Sequence, residues 1–183
     1  MPKFFELSVY TCFFYFLVWV IWLFLVQPVE QGSTGFGSLA FLPHAARVLP
    51  VLFFGGKAIP AIYFSEFIAT NYIGELQYVT VYGSLISSTA ILISWTAFKL
   101  LDVDLKSKRV LRNTDWKHVT LFILVSALIN GIGNGAYYLY IYEILDPLIT
   151  IRFVIGDIVG ATIVILSLMF LTGFIKIPEN NHD

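Results

Sequence analysis

The sequence predicts an all-α membrane protein, a polytopic bundle of six transmembrane helices with both termini cytoplasmic. Three observations carry that expectation. Of 183 residues, 58% are hydrophobic and 13% charged, with a mean hydropathy of +0.81; soluble domains are nearer half apolar and a quarter charged. Six stretches are long and apolar enough for a hydrocarbon core about 30 Å thick. The basic residues between those stretches all fall on one side when the count is six.

The first stretch, 7–26, is followed by Gln27, Pro28, Val29 and Glu30. It exceeds the apolar core of a secretory signal, and no small-residue cleavage site follows, so it reads as a retained helix. A glycine-rich loop, 27–37, leads to the second stretch, 38–54, which Pro43 and Pro50 interrupt and which also holds Arg47. These features make 38–54 the candidate for a re-entrant or broken segment. After Gly55, Gly56 and Lys57 comes the third stretch, 58–73, and then the fourth, 79–101. The longest connection, 102–117, carries Lys106, Lys108, Arg109, Arg112 and Lys117. The fifth and sixth stretches are 118–142 and 148–175, so one transmembrane domain covers 1–177 and a polar tail covers 178–183.

Lys3, Lys57, the 106–117 cluster and Lys176 share one side, while the opposite loops hold Glu30, Glu75, Glu143 and Asp146 without Lys or Arg. Basic loops stay cytoplasmic, which fixes the expected orientation. Tyr137, Tyr138, Tyr140 and Tyr142 crowd the outer end of the fifth helix and Trp116 marks its inner end, as expected of rings at the headgroup level.

The chemistry-bearing candidates are the ionisable and amide residues inside the spans: His44, Arg47, Glu66, Asn130, Asn134, Arg152 and Asp157. A charge near the bilayer centre costs about 2.5–3.5 kcal/mol on insertion scales, so such groups face the protein interior and pair. His44 and Arg47 are three apart and share a helix face, as do Asn130 and Asn134, four apart. Arg152 and Asp157 are five apart, about 140° around an ideal helix, which disfavours pairing between them. Arg47 is the expected partner of Asp157, with Glu66 serving Arg47 or Arg152, and Arg152 alternatively snorkelling outward. These groups collect from the middle of the membrane outward, which suits an outward-facing polar cavity for a small molecule. Charge pinning of the helices without any ligand is the competing reading.

Gly131, Gly133 and Gly135 in the fifth span and the Gly156/Gly160 pair in the sixth predict close helix approach. Tight packing of spans five and six would place Asn130 or Asn134 beside Asp157. The 84–89 hydroxyl run carries little specific signal. A lone cysteine, Cys12, sits in an apolar run and reads as a packing residue. There is no GxxxxGK[ST] loop, HExxH pair or GxSxG elbow. No cofactor or metal is expected, enzymatic activity is the poorer reading, and the net charge of −1 gives no reason to expect nucleic acid.

The runs Phe41-Leu42-Pro43-His44-Ala45-Ala46-Arg47-Val48-Leu49, Phe53-Phe54-Gly55-Gly56-Lys57-Ala58-Ile59-Pro60 and Phe64-Ser65-Glu66-Phe67-Ile68-Ala69 resemble the first part of MASE1, a bacterial integral membrane sensor domain. The stretch Phe153-Val154-Ile155-Gly156-Asp157-Ile158-Val159-Gly160 is similar to that family's glycine-aspartate segment. Together they cover about a third of the chain. The resemblance implies a sensory or ligand-binding role in a bacterial inner membrane. MASE1 domains have more spans and an output domain, so the expectation here is a shortened, free-standing relative that signals through a separate membrane or cytoplasmic partner. A substrate-binding subunit of a small-metabolite or vitamin transporter, and a structural or assembly subunit of a larger membrane complex, are the alternatives.

Overall fold

The computed structural model describes residues 4–30, 37–73, 81–103, 105, 116–144 and 146–174. Lys3, Glu75, Lys176, the basic residues 106–112 and the tail 178–183 lie outside the described residues. Among the described residues the structure is predominantly helical, with no strand. Its six main helices are α1 (Phe4–Leu25), α2 (Pro43–Phe54), α3 (Ile59–Ile68), α4 (Val81–Leu100), α5 (Trp116–Tyr142) and α6 (Pro147–Phe174). A short turn, Gln27–Glu30, follows α1, a 3-10 turn, Gly55–Ala58, joins α2 to α3, and α3 widens into a π turn at Ala69–Ile73.

Four helical runs are long and apolar enough to cross a membrane: Phe4–Leu25, Pro43–Tyr72, Trp116–Tyr142 and Pro147–Leu171. The second is not a straight rod. Arg47 and Glu66, 19 residues apart in sequence, touch through their side chains, whereas a straight helix would separate them by about 28 Å. The chain folds back at Gly55, whose φ of +66° suits glycine. The sequence placed the break correctly but not the start of the preceding helix, which begins at Pro43, with irregular chain ahead of it. Proline at the first helical position explains that start. The resulting halves are short: the 12 residues of α2 rise about 18 Å. The helix α4, with Lys99 and several serines, is not among the four apolar runs, although its 20 residues rise about 30 Å.

Successive helices alternate in direction. The turn between α2 and α3 lies near the start of α1, where Pro60 and Ala61 adjoin Phe4 and Ser8. The start of α2 and the end of α3 lie near the other end of α1, where Leu42, Ala46 and Ala69 cluster with Trp19 and Trp22. Gly56 abuts Trp95 near the end of α4, and Phe98 meets Phe122 near the start of α5. The C-terminal end of α5 meets α4 and α6 through Tyr82, Tyr137, Tyr138 and Phe153. Around the bundle α1 packs on α3, α3 on α4, α4 on α5, α5 on α6, α6 on α2 and α2 on α1, closing a ring.

Within the ring α2 is the most enclosed helix: every residue from Pro43 to Leu52 is buried. A helix enclosed on all sides needs apolar residues all round, and α2 has them except at His44 and Arg47. Exposed positions elsewhere are often large and apolar, among them Phe13 in α1, Leu128 in α5 and Leu166 in α6.

Candidate functional site

Two glycines of α6 decide where α2 starts. Cβ atoms on Gly156 and Gly160 would lie 2.0 Å from the Ser38 carbonyl oxygen and 2.2 Å from the Phe41 carbonyl group, so only glycine lets the incoming chain lie against the helix. The Phe41 amide then donates to the Gly156 carbonyl at 2.9 Å. This corrects the expected role of the pair: it receives the 38–42 segment, not α5. The tight contact of α5 with α6 comes instead from Gly131 and Gly135 against Thr150 and Val154. Docking α2 on α6 in this way brings His44 and Arg47 to Asp157.

Arg47 forms a two-pronged ion pair with Glu66 of α3, donating from Nε to Oε2 at 3.0 Å and from Nη2 to Oε1 at 2.5 Å. Such a fork matches a carboxylate in both geometry and charge. Ser88 of α4 donates to the same Glu66 Oε2 at 2.8 Å. On the other side, Arg47 Nη1 is 3.9 Å from Asp157 Oδ1, and His44 Nδ1 is 3.3 Å from Asp157 Oδ2. Asn130 of α5 donates to Asp157 Oδ2 at 2.6 Å, and Asn134 donates to Asn130 Oδ1 at 2.7 Å. His44 Nε2 contacts Ser126 Oγ at 3.1 Å. The Phe41 ring completes the shell, 5.0 Å from the guanidinium carbon.

His44, Arg47, Glu66, Asn130, Asn134 and Asp157 therefore meet in one network, and none is more than 4% exposed. Arg152 does not join them. Its Nε donates to the Gly37 carbonyl at 3.3 Å, tying α6 to the segment ahead of α2. Arg47 meets both carboxylates that the sequence offered it, Glu66 closely and Asp157 at 3.9 Å, and Asp157 also leans on Asn130 and His44. Sequence reasoning passed over Ser88 and Ser126, although the 84–89 hydroxyl run was visible. It also passed over Tyr15 and Trp19 of α1, which are fully buried near this network.

Charge counting shows what the arrangement can do. One guanidinium faces two carboxylates, so with neutral His44 the network carries one excess negative charge. A proton on His44 or Asp157 cancels it. An uncompensated charge is expensive away from water, so the network is sensitive to any proton, ligand or substitution that alters its balance. Among the described residues no group of three or more His, Cys, Asp or Glu is arranged to hold a metal ion. Comparison with protein-family models, curated proteins and solved structures finds no match.

Proposed function

We propose that this protein is a six-span module of a bacterial inner membrane that binds a small polar ligand at the Arg47–Glu66–Asp157–His44 network and passes the event to a separate protein partner. The observation that carries this reading is the network itself: α2, α3, α4, α5 and α6 each contribute a polar side chain to one buried centre. Ionisable groups inside membrane bundles are rare, pair with one another and characteristically mark ligand or ion sites. Half-length helices beside such groups are a recurrent way to build them. The segments that resemble MASE1 hold Arg47, Glu66 and Asp157, which supports a sensory role.

The orientation proposed has both termini cytoplasmic. Lys57, Lys99 and Lys117 lie at one end of the alternating helices, and Glu30, Glu143 and Asp146 at the other, as retention of basic residues inside requires. Entry is from the outer side, where the irregular chain 37–42 lies next to the site and places Phe41 against Arg47. A charge clamp without a ligand is the second reading, favoured by the completeness of the Arg47–Glu66–Ser88 pairing. A transporter subunit would present small residues of α5 to an energising partner, but Gly131, Gly133 and Gly135 lie against Val154, Ile86 and Thr150.

Thermal unfolding of purified protein against a panel of small polar metabolites tests the proposal. A metabolite should stabilise the wild type and lose that effect on Arg47→Ala and Asp157→Ala. Absence of any stabilising metabolite, with both variants inserted normally, leaves the clamp. Copurification from mild detergent then identifies the partner: a kinase or cyclase for a sensor, an ATPase for a transporter, other membrane proteins for an assembly subunit.

A further inference from the structure

Two buried polar atoms near the charge network have no hydrogen-bond partner: the Tyr15 hydroxyl and the Trp19 indole nitrogen. Both residues are 0% exposed. They are four apart on α1, so they lie on one face, and their rings stack with centroids 6.3 Å apart at 17°. Trp22, on the next turn, donates its indole N–H to Ser38 Oγ at 3.3 Å. The lack is thus specific to Tyr15 and Trp19. Buried donors are almost always paired in folded proteins, and leaving one unmade is costly. The same helix uses phenylalanine at Phe4, Phe5, Phe13, Phe14, Phe16 and Phe24, a residue that would fill these two positions without any polar group to satisfy.

Their surroundings indicate what they face. Trp19 meets the Phe41 ring edge-on at 6.0 Å, and that ring lies under Arg47. The Tyr15 hydroxyl interacts with Arg47 and feels the charge of Glu66 and Asp157, yet no contact it makes has hydrogen-bond geometry. Arg47 has five N–H groups; its contacts with Glu66 and His44 engage three of them. An indole N–H only donates, so the atom opposite Trp19 must be an acceptor. With both carboxylates ionised and His44 neutral, a further negative charge would add to the excess of the network, which selects a neutral acceptor.

We infer that Tyr15 and Trp19, beside Arg47, form a subsite for a neutral oxygen acceptor, the carbonyl of an uncharged small molecule whose flat part lies against the α1 aromatic rings, or a bound water of the same hydrogen-bonding character. This subsite rests on the binding reading above and specifies its ligand class. It makes α1 part of the site, so that all six helices contribute to it.

The test compares wild type with Tyr15→Phe, which deletes one oxygen, and with Trp19→Phe, using acetamide, N-methylacetamide and the charged isostere acetate as probes of thermal unfolding in detergent. At ten times its Kd an amide should raise the wild-type Tm by about 3–5 °C; acetate should not, and both variants should lose most of the shift. If no amide acts but Tyr15→Phe still lowers Tm, the acceptor is water. If both variants match or exceed the wild-type Tm and no amide acts, the donors have no guest and the inference is overturned. A probe that stabilises wild type and Tyr15→Phe equally, but not Arg47→Ala, keeps the binding reading and removes this subsite. Should Tyr15→Phe fail to accumulate, the indole proton resonance of Trp19, assigned by its loss in Trp19→Phe, must move on adding acetamide; an unmoved resonance counts against the subsite.

Discussion

Arg47 faces two carboxylates, and that asymmetry sets the order of effects expected at the residue scale. Arg47→Gln leaves Glu66 and Asp157 without their cation and should destabilise by about 3–5 kcal/mol, the usual consequence of breaking a buried pair from one side. Glu66→Gln leaves Arg47 with Asp157 and should cost about 1–3 kcal/mol. Asp157→Asn removes the excess charge while an amide oxygen can still accept from Asn130, so it should change stability by less than about 1 kcal/mol. Denaturation in mixed micelles ranks the three, and Asp157→Asn emerging as the worst would refute the charge count. The identity of these residues was legible because ions inside apolar runs stand out. Their pairing was legible in part: Arg47 was matched to Asp157, and Glu66 to Arg47 or Arg152, but that Glu66 is the closer partner depends on the splay of α2 from α3, which periodicity does not encode. Ser88 and Ser126 were illegible for a related reason, since serine is common in membrane helices whether or not it meets a carboxylate.

At the scale of the element, the glycines of α6 hold the start of α2 in place. Gly156→Ala or Gly160→Ala drives a methyl group into backbone atoms of 38–42 that have no free end to swing away. Each should cost at least about 1–3 kcal/mol and loosen the Arg47 network with it. Gly133→Ala meets only the Cγ2 methyl of Ile86, at 2.6 Å, a side chain that can adjust, and should be milder. Thermal unfolding of the three variants checks the order; a Gly133→Ala effect exceeding the other two would contradict it. The glycine spacing announced close approach but not the identity of the neighbour, because a GxxxG face accepts any backbone. Helix bounds were largely legible from apolar length. The exception is α2, where the apolar run starts before the helix does, and the irregular chain at 38–42 finds its hydrogen bonds on Glu30, within itself and, through Phe41, on α6.

For the whole molecule, the ring of alternating helices predicts which ends share a side. With Cys12 replaced by alanine, single cysteines at Lys57 and at Glu143 should label from opposite faces of sealed vesicles, Lys57 from the cytoplasmic side. Labelling of both from one face would exclude the proposed topology. The all-α class was legible because hydrocarbon leaves a spanning chain only helices or a closed barrel. The fold-back at Gly55 was only half legible: the turn residues were plain, but not that the segments on either side are too short to act as independent rods and depend on the buried ions between them. That dependence is the central claim, and a double-mutant cycle on Arg47→Gln and Glu66→Gln tests it most directly. The account predicts that the double variant is at least about 1.5 kcal/mol more stable than the sum of the single effects implies, while additivity within about 0.5 kcal/mol would show that the two charges do not hold α2 and α3 together.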